Sequence, residues 1–74
     1  MKKYLIFGSR ATKALWEDEN DLDGVIEAIN DMEAELFIFD PQTIPIDEIL
    51  SAYSKWNDYS YLTKEQYDQI LTQV

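Results

Sequence analysis

Two short runs, Tyr4-Leu5-Ile6-Phe7 and Leu36-Phe37-Ile38-Phe39, are apolar at every position rather than at alternate ones. Successive side chains of a strand point to opposite faces, so a strand built from such a run needs cover on both sides. In a chain of 74 residues that requirement nearly dictates the layout: a small sheet inside, with helices or loops over both faces. A chain this short forms a single domain and buries only ~60% of the surface that its unfolded form exposes, so the cover must be thin.

The first run, Lys2 to Gly8, reads as a central strand, and Gly8-Ser9 punctuates it, with Gly8 expected in a tight turn at a special φ. The next segment, Arg10 to Asp18, either returns as a second strand of a hairpin or is already helical; the hairpin is the favoured reading. From Asn20, a candidate N-cap, the spacing of Leu22, Val25, Ile26, Ile29 and Met32 predicts one apolar stripe of a helix. Ala34 to Asp40 is a further strand stopped by Pro41. A loop through Pro41 and Pro45 leads to a helix from about Asp47, with Ile46, Ile49, Leu50 and Tyr53 on its inner side. An interhelical turn at Asn57-Asp58 precedes the last helix. There Thr63 and Gln66 form a capping box, Leu62 and Tyr67 a hydrophobic staple, and Tyr67, Ile70, Leu71 and Val74 the inward stripe. The expected fold class is α+β: a two- or three-stranded sheet packed by about three helices, in the order ββαβαα or, without the hairpin, βαβαα. If the hairpin exists, a crossover from its second strand over the first gives sheet order 2-1-3 and puts the doubly apolar strand in the middle.

Charge limits the functions open to such a chain. The net charge is −9, and positions 14 to 54 hold twelve Asp or Glu with no Lys or Arg. A sustained negative field repels nucleic acid and anionic membranes and speeds encounter with basic surfaces, which argues against direct nucleic-acid binding. A hydrophobic fraction of 46% and an aromatic fraction of 14% are too high for a disordered acidic tail. The chain has no cysteine and no histidine, hence no disulfide, no thiolate metal site and no imidazole base. The four-residue apolar run at Tyr4 to Phe7 is too short for a signal-peptide core or a membrane span, and the expected location is cytoplasmic.

Three chemical readings of local stretches are weak. Residues 19 to 30 align superficially with a calcium-binding EF-hand loop, with Glu19, Asp21 and Asp23 at the first three ligand positions and Gly24 at the turn. Asn30 stands where a bidentate Glu should close that shell, however, and Leu22, Val25 and Ile26 ask for a helix. A strand ending in Gly8-Ser9-Arg10 looks like the start of a nucleotide-binding unit, but the chain has no further glycine of that fingerprint. Carboxylate-pair catalysis needs a cleft that so small a domain scarcely offers, and no histidine activates Ser9, Ser51, Ser54 or Ser60. The expectation is a protein that is not an enzyme and carries no cofactor and no metal.

The acids themselves form the remaining constellation. Asp23, Glu27 and Asp31 recur every fourth residue, about 6 Å apart along a helix, opposite its apolar stripe. Glu17, Asp18, Glu19 and Asp21 lead into that row, and Glu33 and Glu35 extend it. Like charges at this spacing cost ~0.2 to 0.5 kcal/mol per pair, small enough for an ordinary solvated face. The missing counter-charges favour a purpose, because neutral surfaces intersperse both signs. Trp56, Tyr59 and Tyr61 are candidate anchors, being residue types that dominate interfaces. In size and acidity the chain resembles small inhibitors encoded by phages and mobile elements, an analogy of class that rests on no motif. These features lead to the expectation of an acidic interaction protein occupying a basic, nucleic-acid-binding surface of a partner. The alternatives are a self-associating structural or accessory protein and, more weakly, the calcium loop.

Overall fold

The computed structural model describes residues 1–53, 55–56 and 58–74. Its elements run β1 (Lys3–Gly8), α1 (Arg10–Glu17), α2 (Leu22–Asn30), β2 (Ala34–Phe39), α3 (Ile46–Ala52), β3 (Asp58–Leu62) and α4 (Lys64–Gln73). The class is α+β, as the periodicity implied, with the order βααβαβα. The sheet order is β2-β1-β3, and both pairings are antiparallel.

The doubly apolar first strand is central and covered on both faces. Ile6 points with Tyr4 into one layer, against Trp16 of α1, Val25 and Ala28 of α2, and Tyr67 and Ile70 of α4. Leu5 and Phe7 point into the other, against Ile49 of α3 and Trp56. Leu5, Ile6 and Phe7 are all buried, and each contributes about 1.5–3 kcal/mol by leaving water.

Arg10 to Asp18 is not a hairpin strand. Ser9 caps a helix there, its Oγ accepting the Thr12 N–H at 3.2 Å. Thr12 and Trp16 stand one turn apart on its buried side. Gly8 lies inside β1 and does not have a positive φ. Its role is spatial: a Cβ on it would meet the Glu33 carbonyl oxygen at 3.0 Å, Thr12 Cβ at 3.1 Å and Ala34 Cβ at 3.2 Å. Glycine therefore lets α1 and β2 close over the end of the central strand.

Asn20 is not the cap of α2. It turns the chain in the left-handed region at φ 53°, which Asn tolerates. Asp21 is the cap, accepting the Gly24 N–H at 3.0 Å. Met32 lies beyond the helix rather than on its stripe. The N–H of Met32 returns to the Ile29 carbonyl (3.1 Å) and that of Glu33 to the Ala28 carbonyl (2.8 Å), with Met32 at φ 63°. This is a Schellman ending with methionine where glycine is usual.

The expected interhelical turn is replaced by β3. Asp58 starts that strand, and Asn57 lies outside the described residues. Its alternation was hidden because an inward position is a serine: Ser60 is buried and donates to Glu17 Oε1 at 3.0 Å. The capping box of α4 is present, with Thr63 and Gln66 bonding each other's backbone N–H at 3.0 and 3.1 Å. Tyr67 and Ile70 are buried as expected, whereas Leu71 and Val74 are exposed. Tyr53, expected inside, is also exposed, with its ring packed on Phe37 at 4.8 Å.

Candidate functional site

The fold distributes the seven candidate acids over the α1–α2 side of the molecule according to how each helix starts and stops. Asp21 caps α2, Asp23 stands in its first turn, Glu27 is exposed further along it, and Asp31 is its C-cap. Asp21, Glu27 and Asp31, joined by Glu33, line a depression of about 350 Å³ between α1 and α2, floored by Thr12, Leu15, Gly24 and Ala28. Glu17 closes α1 and Asp18 is its C-cap. These two share a second depression, of about 470 Å³, with Arg10, Lys13 and Asp58. Glu19 is exposed in the connection between the helices.

Salt bridges among the described residues join the amino terminus to Asp40, Lys13 to Asp58 and Lys64 to Asp68. None of the seven acids takes part in them. Arg10 and Lys13 nonetheless make the α1 end of mixed sign, and Lys55 shares a depression with Glu33, so the purely negative surface is the α2 side from Asp21 to Asp31.

The aromatic candidates lie elsewhere. Trp56 and Tyr59 pack in the layer on the opposite face of the sheet from α1 and α2, and Trp56 meets the edge of the acidic side in a depression shared with Glu33 and Lys55. Trp56 is buried rather than partly exposed. Its indole Nε1 donates to Glu35 Oε2 at 2.9 Å, and the Lys55 ammonium lies over its ring at 4.4 Å. Tyr59 is half-buried beneath Tyr61, edge to face at 5.6 Å, and burial, together with the neighbouring Tyr61, pushes its hydroxyl above the usual phenol range. Tyr61 is exposed, with the Lys3 ammonium 5.7 Å above its ring.

The weaker chemical readings have definite places in the fold as well. Residues 22–30 form α2, which leaves no wrapped loop for a calcium shell over 19–30. Gly8-Ser9-Arg10 does lead a strand into a helix N-terminus, but Ser9 already satisfies the Thr12 N–H, and the adjoining depression is lined by four carboxylates that repel phosphate. Of the serines considered as nucleophiles, Ser9 is a cap, Ser60 is bonded to Glu17, Ser51 is exposed on α3, and Ser54 lies outside the described residues. No helix among the described residues is long and apolar enough to cross a membrane.

Sequence reasoning missed a third surface. Ile29, Met32, Leu36, Phe37, Tyr53 and Leu71 are among the residues lining an open groove of about 560 Å³ along β2, which Val74 and Tyr67 extend. The apolar spacing of Leu71 and Val74 was visible in the sequence, but spacing alone does not distinguish a covered stripe from an uncovered one. No known family, no curated protein and no solved structure matches this chain.

Proposed function

We propose that the protein is a non-enzymatic acidic interaction protein that docks its α2 side on a basic, nucleic-acid-binding surface of a partner and so blocks it. The observation that supports this most is the group Asp21, Glu27, Asp31 and Glu33 around one depression, with no lysine or arginine lining it. Asp23 and Glu19 broaden that field, and Glu17 and Asp18 extend it toward the α1 end. Carboxylates so placed stand in for phosphates, although a row at about 6 Å is sparser than the ~1.7 Å axial charge spacing of a duplex. The neighbouring acids supply the added density.

The test is capture of nucleic-acid-binding proteins from lysate at low salt, followed by elution in a salt gradient and competition with duplex DNA. Docking that depends on this field weakens steeply with salt and is abolished when Asp23, Glu27 and Asp31 are all replaced by lysine. An affinity that barely changes between low and high salt would exclude the mechanism.

A further inference from the structure

Among the described residues β2 forms one edge of the sheet, and its outer side is unusual in two respects. Strand edges are ordinarily protected by lysine, proline, a bulge or a covering element. The opposite edge, β3, has no lysine or proline of its own either, but cations stand over it: Lys13 lies 3.9 Å from Asp58 and 6.0 Å from the Tyr59 ring, and Lys3 5.7 Å from the Tyr61 ring. β2, Ala-Glu-Leu-Phe-Ile-Phe, contains neither lysine nor proline and pairs with β1 through six consecutive residues without a bulge. Large apolar side chains also stand exposed beside it. Met32 (77%), Leu71 (56%), Val74 (50%) and Tyr53 (46%) all line the groove that wraps this edge. Met32 holds its place in a left-handed conformation that glycine would adopt more easily, so a bulky apolar group is kept at the rim against local preference.

Charge selects the occupant. No lysine or arginine lines the groove, and Glu35 does. The C-terminal ends of α2 and α4 both reach it, through Ile29 and Met32 and through Leu71 and Val74, and neither helix carries a basic residue in its last turn. Helix C-termini are negative poles, and Asp31 and Glu33 flank Met32. A second copy would bring its own Glu33, Glu35 and net charge of −9 to this field, which opposes self-pairing.

We infer that the β2 edge is a docking site for an extended segment of a partner protein that alternates apolar and basic residues and adds to the sheet as a fourth strand. Main-chain hydrogen bonds to β2 would hold the strand; its apolar side chains would lie on the α2 and α4 face, beside Leu36, Met32 and Leu71, and its lysines or arginines on the other face, beside Glu35. A strand matching β2 spans about 20 Å. The partner's charge has the same sign as in the function proposed above, but it follows from Glu35 and the absence of lysine or arginine in the groove lining, and the surface is a different one.

The probes are acetylated, amidated peptides of about ten residues that alternate lysine with valine, leucine or phenylalanine. Each is titrated into the full chain while amide hydrogen exchange is followed by NMR. At least one is expected to bind saturably and to slow exchange in β2 but not in β3. Its copy N-methylated at alternate residues, and the exposed-site variant Leu71→Lys with the wild-type peptide, should each bind ~10-fold or more weakly. The inference is overturned if none of the three binds at millimolar concentration, if protection appears along α2 or β3 instead, or if Leu71→Lys binds as well as wild type. It is equally overturned if the chain alone sediments as a dimer that Leu71→Lys dissociates, since the occupant is then a second copy. Leu71 lies outside the α1–α2 depression and Glu27 outside the groove, so Leu71→Lys and Glu27→Lys fail independently.

Discussion

Replacing Gly8 with alanine tests the packing at the end of the central strand, where three elements meet. The added methyl would sit 3.0 Å from a backbone oxygen and 3.1 and 3.2 Å from two Cβ atoms, whereas ordinary contacts begin near 3.4 Å. None of these neighbours is the free end of a flexible side chain. Glu33 O and Ala34 Cβ are tied to the β1–β2 register, in which Gly8 faces Ala34, and Thr12 is held in α1 by the capping contact with Ser9. Relief therefore requires α1 or β2 to move outward by a few tenths of an ångström. Overpacking of this kind costs about 1–3 kcal/mol. The reduced freedom of the unfolded alanine chain offsets about 0.4–1 kcal/mol, which at the middle of both ranges leaves a net loss of about 1.3 kcal/mol. For a domain of this size, 1 kcal/mol shifts the melting temperature by about 4–8 °C, so the transition should fall by roughly 5–10 °C. Urea unfolding followed by circular dichroism should show a lower midpoint with an unchanged slope. If Gly8→Ala is as stable as wild type or more so, the close approach does not constrain the fold and the reasoning fails.

Other perturbations read other parts of the structure. Glu35→Ala leaves the buried Trp56 indole N–H without its acceptor and should cost about 1–3 kcal/mol in urea unfolding, whereas Glu35→Gln, which can still accept, should cost clearly less. Met32→Gly relieves the left-handed φ of 63° and should stabilise by ~0.5–1 kcal/mol; a loss would mean that the Met32 side chain packs more than its exposure suggests. Burial raises the hydroxyl pKa of Tyr67, as it does that of Tyr59. A phenol whose folded pKa exceeds its unfolded value near ~10 contributes stability that is intact below that pH and lost as pH rises through the folded value. Midpoints should therefore be flat with respect to these two groups below about pH 10 and fall above it. Tyr67→Phe should reduce that fall, and an unchanged alkaline profile would count against the assignment.

Several elements could be read directly from residues. The unbroken apolar character of Tyr4 to Phe7 placed β1 at the centre, because such a run cannot face water on either side. Thr63 and Gln66 located the start of α4, because reciprocal capping is encoded within four positions. The failures also have physical causes. α1 is eight residues long and buries Thr12 beside Trp16, too short and too polar a pattern for helical periodicity to stand out. β3 was missed because Ser60 occupies an inward position, and its acceptor, Glu17, is far away in sequence. The acidic stretch was visible as composition, but its division into a purely negative α2 side and a mixed α1 end depends on where Arg10 and Lys13 fold. Tyr53, Leu71 and Val74 satisfied every criterion for a core except having something to pack beneath, and no local pattern records that.

The central position of β1 has a consequence for how the molecule comes together. Leu5 pairs with Phe37 on one side and Tyr61 on the other, so the strand synthesised earliest of the three is completed by the one synthesised last. No two strands are joined by a tight turn that could seed a hairpin; each union must close a long stretch of chain before it gains any contacts. Helices α1 and α2 can take shape early, but they lack a finished sheet to rest on until β3 arrives. A truncation that removes β3 would therefore uncover the most oily strand of the protein along its whole flank, and nascent or clipped chains should be far more prone to clump than the intact fold.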